Sequence, residues 1–329
     1  MTVAAYVYPG ENGFTGLRPG DAERLTHVNM SFALVKDGKG NVDHWKKPEL
    51  IREFIKNKGH IKVVLSVGGW GAGGFSPAVA TAEGRELLAQ SLVDIVDDFG
   101  FDGMDLDWEY PCNDMAGIEA SPDDKPNYTL WVQLIRQKMG PDKILSMAAG
   151  GMKSCVDSLE LDKLDKEMDF INLMTYDMCP HNKTGYHSAL FRSEAGSPAG
   201  AFVADMYTEA GFPRNKLVLG AAFYGRKYED CDATPGSPVS KAPTGLGGGY
   251  DRIKEWIEKN GESYDEVAEA PYVYDAEKRE FITYDSPRSI EAKVKYVKET
   301  GMMGIMFWAY AGDDEDSTLL KAMAGHSPA

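Results

Sequence analysis

Apolar residues along this chain gather in eight short runs, and the stretches between them mix apolar and polar positions with a helical period. The runs cover 3–8 (VAAYVY), 27–35 (HVNMSFALV), 61–68 (IKVVLSVG), 101–109 (FDGMDLDWE), 144–150 (ILSMAAG), 169–176 (DFINLMTY), 216–224 (KLVLGAAFY) and 302–310 (MMGIMFWAY). Each has the length of a strand, and their near-continuous apolar character fits parallel strands covered on both faces. Amphipathic stretches near 47–58, 83–99, 127–139, 157–167, 198–211, 288–300 and 315–324 have the length of helices. Eight strands with helical stretches between them predict an α/β fold, the (β/α)8 or TIM barrel.

The alternation breaks once. Residues 225–301 separate the seventh run from the eighth, too many for one helix and its loops. Within them lie a Pro/Gly-rich segment (ATPGSPVSKAPTGLGGG), a helical YDRIKEWIEKNG and the strand-like APYVYD and KREFITYD. Residues 226–285 therefore read as a small α+β insertion between strands 7 and 8, on the C-terminal rim of a barrel built from 1–225 and 286–329. Gly245 and Gly247–Gly249 lack the strand–GxxxxGK[ST]–helix setting of a phosphate loop and read as a flexible connection. No fixed-period repeat points to a solenoid.

Composition removes several classes of function. The chain has 329 residues, 43% of them hydrophobic, and a net charge of −16. Such a surface repels nucleic acid and anionic lipid, so neither partner is expected. No run of 18 apolar residues is present, so no transmembrane helix is expected. Residues 1–8 lack a basic segment and a long apolar segment, so no signal peptide is read; the protein is then cytoplasmic, or secreted with its signal removed. Cys112, Cys155, Cys179 and Cys231 form no CxxC pair and read as reduced thiols. His27, His44, His60, His181, His187 and His326 form no metal-ligand pattern and read as surface or structural residues.

Chemistry concentrates in the fourth run. Asp105, Asp107 and Glu109 follow one another at i, i+2 and i+4. On a strand that spacing turns all three carboxyls to one face and sends Leu106 and Trp108 to the other. Like charges held so close cannot all remain ionised, so at least one pKa must rise. A protonated acid beside an ionised one is what glycosidic cleavage requires. Asp102 falls at odd spacing and is expected to face away, in a structural role.

Active sites of such barrels lie at the C-terminal ends of the strands. Those ends carry Ser66-Val67-Gly68-Gly69-Trp70, Met174-Thr175-Tyr176-Asp177, Phe223-Tyr224-Gly225-Arg226 and Trp308, besides the three acids. Flat indoles suit the apolar faces of sugar rings; carboxylates and tyrosine hydroxyls suit their polar edges. Tyr6 and Phe32, on the first two strands, are candidates for the floor of the same pocket. Tyr224 and Arg226 stand where they would hydrogen-bond a sugar near the point of cleavage, the competing role for Arg226 being a salt bridge that fixes the insertion.

DGMDLDWE resembles the DxxDxDxE signature of glycoside hydrolase family 18, which includes many chitinases. Ser66-Val67-Gly68-Gly69 resembles the family's SxGG signature, and Met174-Thr175-Tyr176-Asp177 and Trp308 stand where its members carry equivalents. The resemblance covers essentially the whole chain, and the insertion is similar to the small α+β domain of some of these chitinases. It implies a monomeric chitinase acting without a cofactor on chitin or chitooligosaccharides, with net retention and the substrate's 2-acetamido oxygen as nucleophile. It further implies that Glu109 is acid and then base, that Asp107 orients the acetamido group and that Asp105 shares a proton with Asp107. Tyr176 would donate to the acetamido oxygen, Asp177 would contact the distorted sugar, Trp308 would lie beneath it and Trp70 would stack on the leaving side. Gly69 and Met174 enter as substrate-binding positions on the same basis. The competing functions are an endo-β-N-acetylglucosaminidase acting on N-glycans and a catalytically inactive lectin; the latter usually lacks the proton donor, which is present here as Glu109. An inserted wall deepens the groove, which suits exo-type or processive cleavage.

Overall fold

The computed structural model describes residues 1–10, 12–195 and 198–325; His326 lies outside them. Eight parallel strands close on one another: β1 Thr2–Val7, β2 His27–Lys36, β3 Lys62–Gly68, β4 Gly103–Asp107, β5 Ile144–Gly150, β6 Phe170–Met174, β7 Leu217–Ala222 and β8 Gly304–Trp308. Each pairs with its neighbours in chain order, and β1 pairs with both β2 and β8, closing the barrel. The predicted (β/α)8 barrel is thus the observed one.

Alternation within the strands divides the core into two layers. Val63, Leu65 and Val67 of β3, with Met104, Leu106 and Trp108 around β4, pack outward into the layer shared with the helices. There Trp108 stacks on Phe75 at 5.3 Å and 12°. The opposite set, including Ala4, Tyr6, Ala148, Phe170, Met174, Val218 and Met306, fills the barrel interior. The longest helix, Ala82–Phe99, starts where the Thr81 hydroxyl accepts the Gly84 N–H at 3.0 Å and stops at Gly100, whose φ of 79° suits glycine.

Some local structure departs from the sequence expectation. β2 continues past the barrel into a hairpin with Lys39–Asn41, turned by Asp37 (φ 52°) and Gly38 (φ 72°). Asp-Gly favours such a turn because both central residues need positive φ. The predicted helix at 157–167 is instead two short ones, Lys153–Asp157 and Leu161–Leu164.

Beyond β7 the chain builds a second, antiparallel sheet in the spatial order Thr244–Gly245, Arg226–Tyr228, Glu280–Thr283, Ala270–Asp275, Ser263–Asp265, with helix Tyr250–Asn260 beside it. Its small apolar core includes Tyr228, Ala270 and Phe281, and also Tyr186 and Ala189 from the loop after β6. Several ties hold this unit to the barrel, among them three outside the cleft. Lys254 pairs with Asp314 at 2.8 Å. The backbone of Gly249 lies so close to Gly312 that a Cβ there would stand 2.3 Å from the Gly312 carbonyl oxygen. Asp285, where the chain re-enters the barrel, meets Lys293 of helix Pro287–Thr300 at 2.6 Å.

Candidate active site

Period-two geometry brings the acids of β4 together. Asp105, Asp107 and Glu109 are 0%, 4% and 8% exposed, and Glu109 lies two residues beyond the strand's end. Asp105, the deepest, is held by four donors: Tyr6 Oη at 2.9 Å and Ser66 Oγ at 2.9 Å on Oδ2, Ser146 Oγ at 2.7 Å and Asn172 Nδ2 at 3.1 Å on Oδ1. Burial raises its pKa against the pull of those hydrogen bonds. Asp107 is pushed well above the usual carboxyl range, first by burial and then by the charges of Glu109 and Asp105. Glu109 rises to about 7, mainly by burial, with a hydrogen bond to the Tyr110 side chain opposing and the Asp177 charge adding to the rise. A carboxyl that keeps its proton near neutrality is equipped to serve as a general acid.

The glycines of Ser66-Val67-Gly68-Gly69 have steric reasons. A Cβ on Gly68 (φ 120°) would lie 2.0 Å from the Asp107 carbonyl oxygen, and one on Gly69 (φ 92°) 2.8 Å from the Phe32 ring. The Gly69 N–H donates to the Asp107 carbonyl at 2.8 Å, tying the β3 end to the acid strand. Trp308 lies over Phe32 at 5.5 Å and 18°, with Tyr6 tilted beside it at 6.1 Å. Trp70 stands on the rim, 63% exposed.

The other wall comes from β6 and the inserted sheet. Asp177 takes a left-handed φ of 56° and presents a carboxylate that is 44% exposed. Arg226, the first residue of the inserted sheet, grips it with two bonds of 2.6 Å, Nε to Oδ1 and Nη2 to Oδ2. Burial opposes the Asp177 charge, but hydrogen bonds from His187 and Arg226 hold its carboxyl below the usual range. Tyr224 lies edge-on to Tyr176 at 6.1 Å and to His187 at 5.2 Å. Burial raises the Tyr176 hydroxyl well above the usual tyrosine range, followed by the charges of Asp107 and Glu109, so it remains a donor.

Tyr6, 2% exposed, lies beside Trp308 and donates its hydroxyl to Asp105 from inside the barrel. Met174, 8% exposed, packs with Tyr6 in the same interior cluster. Arg226 forms the salt bridge that was its competing role. Asp102 faces outward, accepting from Lys58 Nζ and, at 2.7 Å, from the Val63 N–H.

Sequence reasoning passed over Tyr110, Ser146 and Asn172, and read His187 only as a surface or structural residue. Ser146 and Asn172 carried a signal, since each is a polar residue at an inward position of an apolar strand. Tyr110 and His187 carried none, because their neighbours are set by loops. Among the described residues, no cluster of three or more His, Cys, Asp or Glu is arranged to hold a metal ion.

A closed (β/α)8 barrel with three buried acids at one strand end, Glu109 among them with its pKa raised to about 7, beneath an aromatic cleft, has the construction of a glycoside hydrolase. The family model for glycosyl hydrolases family 18 matches residues 4–313, and the chain belongs to that family. It is 36% identical over 322 residues to chitinase A1 of Niallia circulans, covering 87% of this chain and 46% of that protein. It is 30% identical over 328 residues to chitotriosidase-1 of Mus musculus, covering 89% of this chain and 68% of that protein. A solved structure of a family 18 N-acetylglucosaminidase from Paenibacillus barengoltzii superposes with a TM-score of 0.92 at 34% identity, covering 99% of both chains. The chain spans about half the length of the chitinase A1 it matches.

Proposed function

We propose that the chain is a retaining chitinase that hydrolyses β-1,4-linked N-acetylglucosamine chains with the substrate's own acetamido group as nucleophile. The observation that carries this reading is Glu109, a buried carboxyl with its pKa raised to about 7, set beside Asp107. Glu109 gives its proton to the glycosidic oxygen as the C1–O bond breaks, and the acetamido oxygen closes on C1 to form an oxazolinium ion. Glu109, now a carboxylate, takes a proton from water, whose oxygen attacks C1 from the face the leaving group left. The acetamido group reopens and the product keeps the β configuration. Asp107, buried beside Glu109, would orient the acetamido group, the role that the likeness to family 18 implies for it. Tyr176 would donate to the acetamido oxygen, Asp177 and Tyr224 would line the sugar beside the cleavage point, and Trp308 and Trp70 would offer apolar faces on either side.

The full-length likeness to an N-acetylglucosaminidase favours a second reading, release of single N-acetylglucosamine units. Incubating the protein with N-acetylglucosamine hexamer and reading products by NMR before mutarotation separates the two. Fresh β-anomer dominated by dimer supports the chitinase and the deep cleft formed by the insertion; monomer alone favours the second reading. Fresh α-anomer would defeat the retaining mechanism in either.

A further inference from the structure

Among the described residues, His187 is the one buried histidine beside the acids, and its surroundings specify what it does. The side chain is fully buried on the loop after β6. Its Nδ1 lies 3.5 Å from Asp177 Oδ1 and 3.4 Å from the Asp177 backbone nitrogen, so it can donate to the first or accept from the second, but not both. Its Nε2 is buried and meets no hydrogen-bond partner among the described residues. A hydrogen on Nε2 would be an orphaned buried donor, which is rarer in proteins than an unmet acceptor. The hydrogen therefore belongs on Nδ1, facing the carboxylate.

The residue is held rigidly. Its N–H donates to Thr283 Oγ1 at 3.2 Å, and its carbonyl accepts the Met178 N–H at 3.1 Å. The next residue, Ser188, bridges the Thr175 carbonyl at 3.2 Å and Asp285 Oδ2 at 2.9 Å. Asp177 needs such an anchor, since its left-handed backbone is uncommon for a non-glycine residue. Arg226 holds the same carboxylate from the exposed side with two bonds of 2.6 Å, and His187 backs it from the buried side.

We infer that His187 is a positioning residue, whose Nδ1–H fixes the Asp177 carboxylate and whose ring backs Tyr224, so that both face the sugar at the cleavage point. This rests on the glycosidase reading above and extends it to a residue that does not touch substrate.

Two substitutions in the full chain test it. His187→Asn keeps an N–H near the Nδ1 position, whereas His187→Leu fills the space without a donor. Corrected for folded fraction by thermal melting, kcat on N-acetylglucosamine hexamer should fall about tenfold in the Leu variant and stay within about threefold in the Asn variant, with KM little changed, as expected for one charge-assisted hydrogen bond made to the reacting sugar's wall. Equal losses in the two variants, or wild-type kcat in the Leu variant, would overturn the assignment. A second measurement does not depend on turnover: long-range ¹⁵N–¹H correlation spectra of the wild-type protein, with the His187 signal identified by its loss in the Asn variant, should show the hydrogen on Nδ1. A bare Nδ1 defeats the inference even in an active enzyme. A hydrogen on Nδ1 in a protein that cleaves nothing supports it while the chitinase reading fails.

Discussion

A glutamic acid in water loses its proton near pH 4.5, whereas Glu109, desolvated at the end of β4, keeps it to about 7. Activity that depends on this proton should decline as pH rises through about 7. Stability follows the same sign. Below pH 4.5 the folded and unfolded chains both hold the proton. Between 4.5 and 7 only the folded chain does, and each step upward in pH favours unfolding until the buried carboxyl ionises. Glu109→Gln, which never ionises, should therefore raise Tm over wild type at pH 8 and leave it nearly unchanged at pH 4; an equal shift at both values would contradict the raised pKa. The same variant should lose at least about 100-fold in kcat, the lower range for removing a general acid, while still binding the hexamer in calorimetry. Asp107→Asn should lower kcat more than it weakens binding, because orienting the acetamido group matters most in the transition state.

Among elements, the junction of β7, the loop after β6 and helix Pro287–Thr300 has the most at stake. Lys293 Nζ, 1% exposed, lies 2.6 Å from both oxygens of Asp285, which is fully buried and also accepts the Ala222 N–H at 2.9 Å and the Ser289 hydroxyl at 2.7 Å. Lys293→Met removes one charge and leaves the other buried, at a cost of about 3–5 kcal/mol. Adding Asp285→Asn removes the orphaned charge; its one carbonyl oxygen can still accept the Ala222 N–H, and its amide NH2 can donate to the Ser289 hydroxyl oxygen. The double variant should therefore recover part of the loss in urea unfolding, whereas independent effects would simply add. None of this was legible in the sequence. Lys293 reads there as one more polar position on an amphipathic helix, and nothing marks it as the partner of an acid eight residues earlier.

For the whole molecule, the issue is whether the inserted sheet folds as part of the barrel. Its ties through Lys254–Asp314, Gly249 against Gly312 and Asp285–Lys293 reach β8's following loop and the last long helix. Its small apolar core borrows Tyr186 and Ala189 from the barrel's own loop. Sharing a core in this way couples the two units, and calorimetry should show one cooperative transition with equal calorimetric and van't Hoff enthalpies. Two separated transitions would mean that the insertion melts independently.

The eight strands and the face shared by Asp105, Asp107 and Glu109 are properties of the sequence alone. They rest on local periodicity, which an apolar run of strand length and a period of two express without reference to the rest of the chain. The gap between the last two strands was visible for the same reason. The tertiary structure decided what depends on distant segments meeting: that Tyr6 donates to Asp105, that Arg226 closes on Asp177, that His187 backs it, and that Lys293 neutralises Asp285. The pKa of Glu109 belongs to this second group, because the burial that raises it is created only when the barrel closes.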